Sequence, residues 1–148
     1  MEFARYTEHA KRVVFFGRYE ASQYGSREIG TEHLLLGLFR GDRALARKLL
    51  GSGSLIWQYA SSRKSIESIR HDVRIVGPKL STSEDIPLSN ESKRVLKCAA
   101  EEADQFNDQH IRSEHLVLAL LRQDGSVAAR LLNKEGVTLE AARKKLGR

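Results

Sequence analysis

Residues 29–38 read IGTEHLLLGL, and 82 positions later residues 111–120 read IRSEHLVLAL. Each stretch pairs a hydroxyl residue, Thr31 or Ser113, with a run whose apolar positions repeat as on a helix. Those positions are Leu34, Leu35, Leu38 and Phe39 in the first copy, and Leu116, Val117, Leu120 and Leu121 in the second. This spacing predicts buried helices over about 32–40 and 114–122, with Thr31 and Ser113 as their capping residues. The likeness extends outward without a gap. Residues 6–50 align with residues 88–132 at the same offset, and 17 of the 45 positions are identical. A gapless match of that length is the mark of a duplicated unit, whose copies bury apolar faces against each other.

The rest of each copy follows from its punctuation. Thr7 and Ser89 stand where they cap first helices over about 8–24 and 90–106. Gly25 and Asn107 occupy the matching positions after those helices, where a left-handed residue is wanted. Asp42 and Asp124 are placed to cap third helices ending at Leu50 and Leu132. Fourth helices are expected over about 55–71 and, after Thr138, over about 139–146. The predicted fold is all-α, two pseudo-symmetric four-helix repeats with eight helices in one domain. Repeat one spans 1–71, a linker spans 72–88 and repeat two spans 89–148. The linker holds Gly77, Pro78, Pro87 and the cluster Ser81-Thr82-Ser83, which predicts an extended surface segment.

Composition narrows the function. The chain of 148 residues is 41% hydrophobic and 30% charged, a globular balance. No apolar run is long enough to span a bilayer. The N-terminal stretch lacks the apolar core of a secretory signal. The single cysteine, Cys98, excludes an internal disulfide, and together these features favour the cytoplasm. The net charge of +6 raises nucleic acid as a partner. The 25 basic residues are interleaved with 19 acidic ones, however, and form no long stripe, so nucleic acid is disfavoured. No GxxxxGK[ST] loop occurs, so no cradle for a nucleoside triphosphate is expected. His33 and His115 each follow a glutamate, without HExxH or a third ligand at metal spacing. They are expected to hold their helix starts by hydrogen bonding rather than to bind metal. Cys98 aligns with Phe16 on an apolar face, where a thiol acts as a small hydrophobe. Tyr6, whose counterpart is Leu88, is expected to staple the first helix to the core. Phe3 is open to the same role or to an exposed apolar edge.

YTEHAKRV at residues 6–13, IGTEHLLLGLFR at 29–40 and HIRSEHLVLALLR at 110–122 resemble the double N-terminal repeat of Clp unfoldases, of the ClpC type in particular. The resemblance implies a non-catalytic, cofactor-free and metal-free module that docks adaptor or substrate proteins for a Clp-type ATPase, without a membrane. It also implies recognition of phosphorylated arginine, with the glutamate of each T-E-H motif on the guanidinium. Carried onto this sequence, those positions are Glu32 and Glu114, with Thr7 and Ser89 beside them. Two rival functions share or depart from this fold: a stand-alone regulator or decoy acting in trans on Clp machinery, and a nucleic-acid-binding helical protein.

From position, Glu32 and Glu114 are expected at the first residue of their helices. A carboxylate there complements the helix dipole whether or not it binds a ligand. If it binds, a guanidinium suits the carboxylate and a phosphate suits the free N–H groups around it. The expected arrangement is a pocket at Glu32 with Thr7 at its edge, and a weaker twin at Glu114 with Ser89. The twin is expected to be weaker because Arg112 stands where the first copy has Gly30. Arg112 would either neutralise Glu114 or contact a phosphate.

Overall fold

The first helix of each copy starts where a hydroxyl side chain takes a free N–H group. The protein is described by a computed structural model over residues 3–49 and 70–147. Thr7 Oγ1 accepts from Ala10 N at 3.2 Å and opens α1 (Glu8–Gln23). Ser89 Oγ accepts from Ser92 N at 3.0 Å and opens α4 (Asn90–Gln105). Gly25 (φ 71°) and Asn107 (φ 53°) are left-handed just beyond the two helices, as the pattern predicts.

The second helices, α2 (Thr31–Gly41) and α5 (Ser113–Arg122), begin one residue earlier than expected. Thr31 and Ser113 are therefore inside the helices and do not cap them. Capping passes to the histidines: His33 Nδ1 accepts from Gly30 N, and His115 Nδ1 from Arg112 N, both at 2.9 Å. Each imidazole thus holds the chain turning into its own helix. Glu32 and Glu114 become the second residue of each helix, not the first.

The third helices depart from the duplication. In α3 (Arg43–Leu49) the cap is Asp42, whose Oδ1 accepts from Leu45 N. In α6 (Val127–Lys134) it is Ser126, not Asp124, because left-handed Gly125 (φ 83°) shifts the start by two residues. That helix also runs past Leu132 to Lys134. Thr138 caps α7 (Leu139–Leu146) through Ala141 N. The expected helix over about 55–71 lies outside the described residues except for a helical turn at 70–72.

The copies interlock by exchange. Tyr6 bridges to Ile111 and Leu88 bridges to Ile29, all in parallel. These pairs are each other's counterparts at the offset of 82, with the copies swapped. Thr7 N donates to Ile111 O and Ile111 N to Arg5 O; Ser89 N donates to Ile29 O and Ile29 N to Pro87 O. Such reciprocity is what a pseudo-two-fold axis between the halves requires. Helix α1 accordingly packs on α5, and α4 on α2.

The core gathers around α2 and α5, which touch each other and are covered from both copies. The predicted apolar stripe is too narrow: in α2 every residue except Glu32 and Arg40 is buried. A helix apolar on all sides belongs inside the domain, and α2 and α5 are such helices. Tyr6 is buried as the staple reading predicts, and Phe3 packs edge-on to it at 4.9 Å while half-buried.

Among the described residues, each copy also buries one carboxylate. Glu20 is held by Arg40 at 3.0 Å and Arg70 at 2.5 Å. Its counterpart Glu102 is held by Arg122 at 3.1 Å, and by Arg143 through two bonds of 2.8 and 3.1 Å. A carboxylate out of water is tolerated only when its oxygens are filled in this way.

Candidate functional site: the start of the fifth helix

The two helix starts that carry the glutamates are built from both copies. Helix α1 has 16 residues and is about 24 Å long at 1.5 Å per residue. Thr7 lies at its beginning. Glu32 lies at its other end, where the next residue, His33, stacks 6.2 Å from Tyr24. Thr7 and Glu32 therefore cannot share a pocket, and the expected pairing is corrected. Thr7 lines one depression with Glu114 beside the Tyr6–Ile111 bridge, and Ser89 is tied to Ile29 O beside the Leu88–Ile29 bridge.

At the Glu114 end lies a depression of about 260 Å³. Its walls are the α1 cap Thr7 and His9 of α1, Asp42, Leu45 and Lys48 around α3, the α5 start from Arg112 to Glu114, and Leu146 of α7. The N-terminus of α5 presents N–H groups that have no partner within the helix, together with the positive end of its dipole. Lys48 and Arg112 add cationic charge, while Glu114 and Asp42 add anionic charge. The Arg112 Nε donates to Asp108 Oδ2 at 2.7 Å, which fixes the guanidinium toward Asp108. That bond, with a second from His110 N, holds the Asp108 carboxyl down at about 2. Ser113 is 3% exposed, and among the described residues its Oγ has no hydrogen-bond partner. A site of this make-up suits a ligand bearing an anion and a cation a few ångströms apart.

The Glu32 end is built differently. A methyl group at Gly30 would stand 2.0 Å from Glu32 Oε1, so this carboxylate folds back over the glycine. Arg112, which carries a side chain, occupies that position in the second copy. Thr31 Oγ1 accepts from Ala128 N at 3.3 Å in a buried contact between copies. Helix α6 thus packs on α2.

The sequence reading named Thr7, Glu32, Ser89 and Glu114 and missed Lys48, His9 and the unpaired Ser113. Lys48 carried a usable signal, since its counterpart is Arg130, a second basic residue in the same place. His9 and Ser113 carried none. Among the described residues no group of three or more His, Cys, Asp or Glu could hold a metal ion, and no helix is long and apolar enough to cross a membrane. Cys98 is half-buried against the core, and Gln123 Nε2 donates to its sulfur.

Two interlocked helical repeats with polar helix starts at their seams define a helical-repeat binding domain, and the comparisons place it. Residues 87–148 match the family described as Clp repeat (R) N-terminal domain. The chain is 35% identical over 149 residues to the negative regulator of genetic competence ClpC/MecB of Bacillus subtilis, and 33% identical over 147 residues to the chaperone protein ClpB of Oceanobacillus iheyensis. Each alignment takes in 99% of this chain but 17% of the relative's length. A crystal structure of the N-terminal domain of the chaperone ClpD from Arabidopsis thaliana covers all of this chain and 98% of its own, with a TM-score of 0.71 and 28% identity. The Hsp104 N-terminal domain from Candida albicans shares the fold at a TM-score of 0.69 and 18% identity. The second copy carries the Clp repeat, and the chain as a whole is similar in sequence and fold to Clp N-terminal domains. In Clp ATPases this domain is generally a module that binds substrates or adaptors.

Proposed function

We propose that this chain docks adaptor or substrate proteins for a Clp-type AAA+ unfoldase, and that it selects those marked by phosphorylated arginine. The module has no catalytic role of its own in this reading, and works in the cytoplasm as repeat one (1–71), linker (72–88) and repeat two (89–148). The observation that carries it is the mixed charge of the depression at the α5 start. Glu114 and Asp42 are acceptors for a guanidinium, whose planar donor fork matches a carboxylate. Lys48, Arg112 and the helix start favour a phosphate. Phosphoarginine carries both groups in one side chain. Free arginine satisfies half the site and inorganic phosphate the other half.

Calorimetry tests the reading. Phosphoarginine should bind at least tenfold more tightly than either arginine or phosphate, because both halves are filled together. Glu114→Ala should remove most of that advantage. A phosphoarginine affinity no better than that of phosphate would overturn recognition of the modified residue.

A further inference from the structure

We propose that Thr82, in the linker between the copies, is a phosphorylation site for an acidophilic serine/threonine kinase, and that Arg18 of α1 receives the phosphate. The proposal goes beyond docking and does not depend on recognition of phosphorylated arginine.

The linker is held to the body of the domain on either side of a short exposed loop. Leu80 N donates to Ser22 O of α1 at 2.8 Å, and Ile86 is buried in the core. Between these anchors every residue from Ser81 to Asp85 is exposed. Their order is Ser81-Thr82-Ser83-Glu84-Asp85, hydroxyl side chains followed by carboxylates. A kinase whose substrate groove is basic selects carboxylates just beyond its target hydroxyl, so this order suits such a groove. The hydroxyls are not equivalent. Ser81 Oγ and Ser83 Oγ are bonded to each other at 2.8 Å, and Ser83 N donates to Ser81 Oγ at 3.2 Å. Among the described residues no such bond engages the Thr82 side chain. Thr82 is also followed by both carboxylates, Glu84 and Asp85, at close range.

The second observation is where Thr82 lies. With Phe15, Arg18, Tyr19, Ser22 and Ile86 it lines a small depression of about 40 Å³ against α1. Arg18 carries the positive charge among these lining residues, and its guanidinium already donates to Glu84 O in the same loop. In the transfer, Thr82 Oγ1 attacks the γ-phosphorus of ATP. The new O–P bond forms as the bond to the ADP oxygen breaks, ADP leaves, and the hydroxyl proton passes to a base of the kinase. The product adds nearly two negative charges and strong acceptor oxygens. Glu84 and Asp85 repel that group, and Arg18 attracts it with a planar donor fork suited to phosphate. Lys79, exposed on the same linker, adds a second cation. Phosphorylation therefore tightens the linker onto the first helix of copy one.

The test incubates the full chain with ATP and an acidophilic kinase of the casein-kinase type, and locates the phosphate by mass spectrometry of its peptides. Thr82 should be the residue modified. Asp85→Asn, an exposed change that leaves the core intact, should slow the modification at least about tenfold, since it removes a carboxylate the kinase reads. Arg18→Gln should leave the rate of modification unchanged. Thermal melts then test the receiving arginine. The phosphorylated chain should melt about 2–4 °C higher than the unmodified one, the effect of one new charge-assisted pair in a domain of this size. Phosphorylated Arg18→Gln should show no such rise. No phosphate on the loop, phosphate on Ser81 or Ser83 in place of Thr82, or an unchanged rate with Asp85→Asn would overturn the site. An unshifted or lowered melting temperature, or equal rises with and without Arg18, would overturn the role of Arg18.

Discussion

His33 shows how one side chain carries a structural duty and a pH limit together. Its Nδ1 accepts from Gly30 N, which requires that nitrogen to be unprotonated. Burial disfavours the charged ring and outweighs the nearby acids Glu20 and Glu28, so its pKa falls from 6.5 to about 4. The unfolded chain therefore binds this proton more readily than the folded one. Its contribution to stability is complete above about pH 6.5 and is lost as pH falls towards 4. Spread over that window the loss is about 3 kcal/mol. Ring NMR should show His33 neutral down to about pH 4. His33→Asn, which keeps an acceptor for Gly30, should flatten the decline of the melting temperature between pH 6.5 and 4; an unchanged slope would show that other groups cause it. The histidine role was legible from sequence, because no ligand spacing surrounded either ring and both stood at a helix start. The pairing of Thr7 with Glu114 was not, since the exchange that joins them lies over a hundred residues apart in the chain.

Helix packing in the first copy relies on glycines that the second copy lacks. Gly17 and Gly37 have Ala99 and Ala119 as counterparts. A methyl group at Gly37 would meet Val13 O at 2.1 Å and Gly17 N at 2.6 Å, both backbone atoms of α1. Alanine in an exposed helix stabilises by up to about 1 kcal/mol over glycine. At Gly37 the sign reverses, and Gly37→Ala should destabilise by about 1–3 kcal/mol through overpacking. A thermal melt showing no loss would mean the helices can separate at little cost. The carboxylate clamps make a second prediction. Glu102→Ala strands Arg122 and Arg143, which tie α4 to α5 and α7. Both arginines keep about a third of their surface in solvent, so the cost should sit near the low end for a broken buried pair, about 3 kcal/mol. Urea denaturation measures it, and Glu102→Gln should recover part of the loss. Helix order and the apolar face of α2 were readable from the leucine spacing. The shifted cap of α6 was not, because an aspartate and a serine two residues apart are equally good caps and the left-handed turn at Gly125 decides between them.

At the scale of the whole molecule, each copy completes the other. Helix α5 packs against α6 and α7 of its own copy, but also against α1 and α2 of the other. A fragment of residues 87–148 would expose those faces of its central helix, together with Ile111, which bridges to Tyr6. It should melt without a cooperative transition by circular dichroism, while the full chain melts sharply; a sharp transition in the fragment would show that one repeat folds alone. Leu34→Ala and Leu116→Ala, at counterpart positions that are both 2% exposed, should each cost about 2–5 kcal/mol in the full chain. The exchanged entry segments also set an order of events during synthesis. Arg5, Tyr6 and Thr7 leave the ribosome well before their partners Asp104, Asp108, Gln109 and Ile111. Closing so long a loop is slow, and its entropy is recovered only once the distant partner is in place. The beginning of the chain must therefore wait, its own helix unanchored at the entry, until most of the domain has been translated.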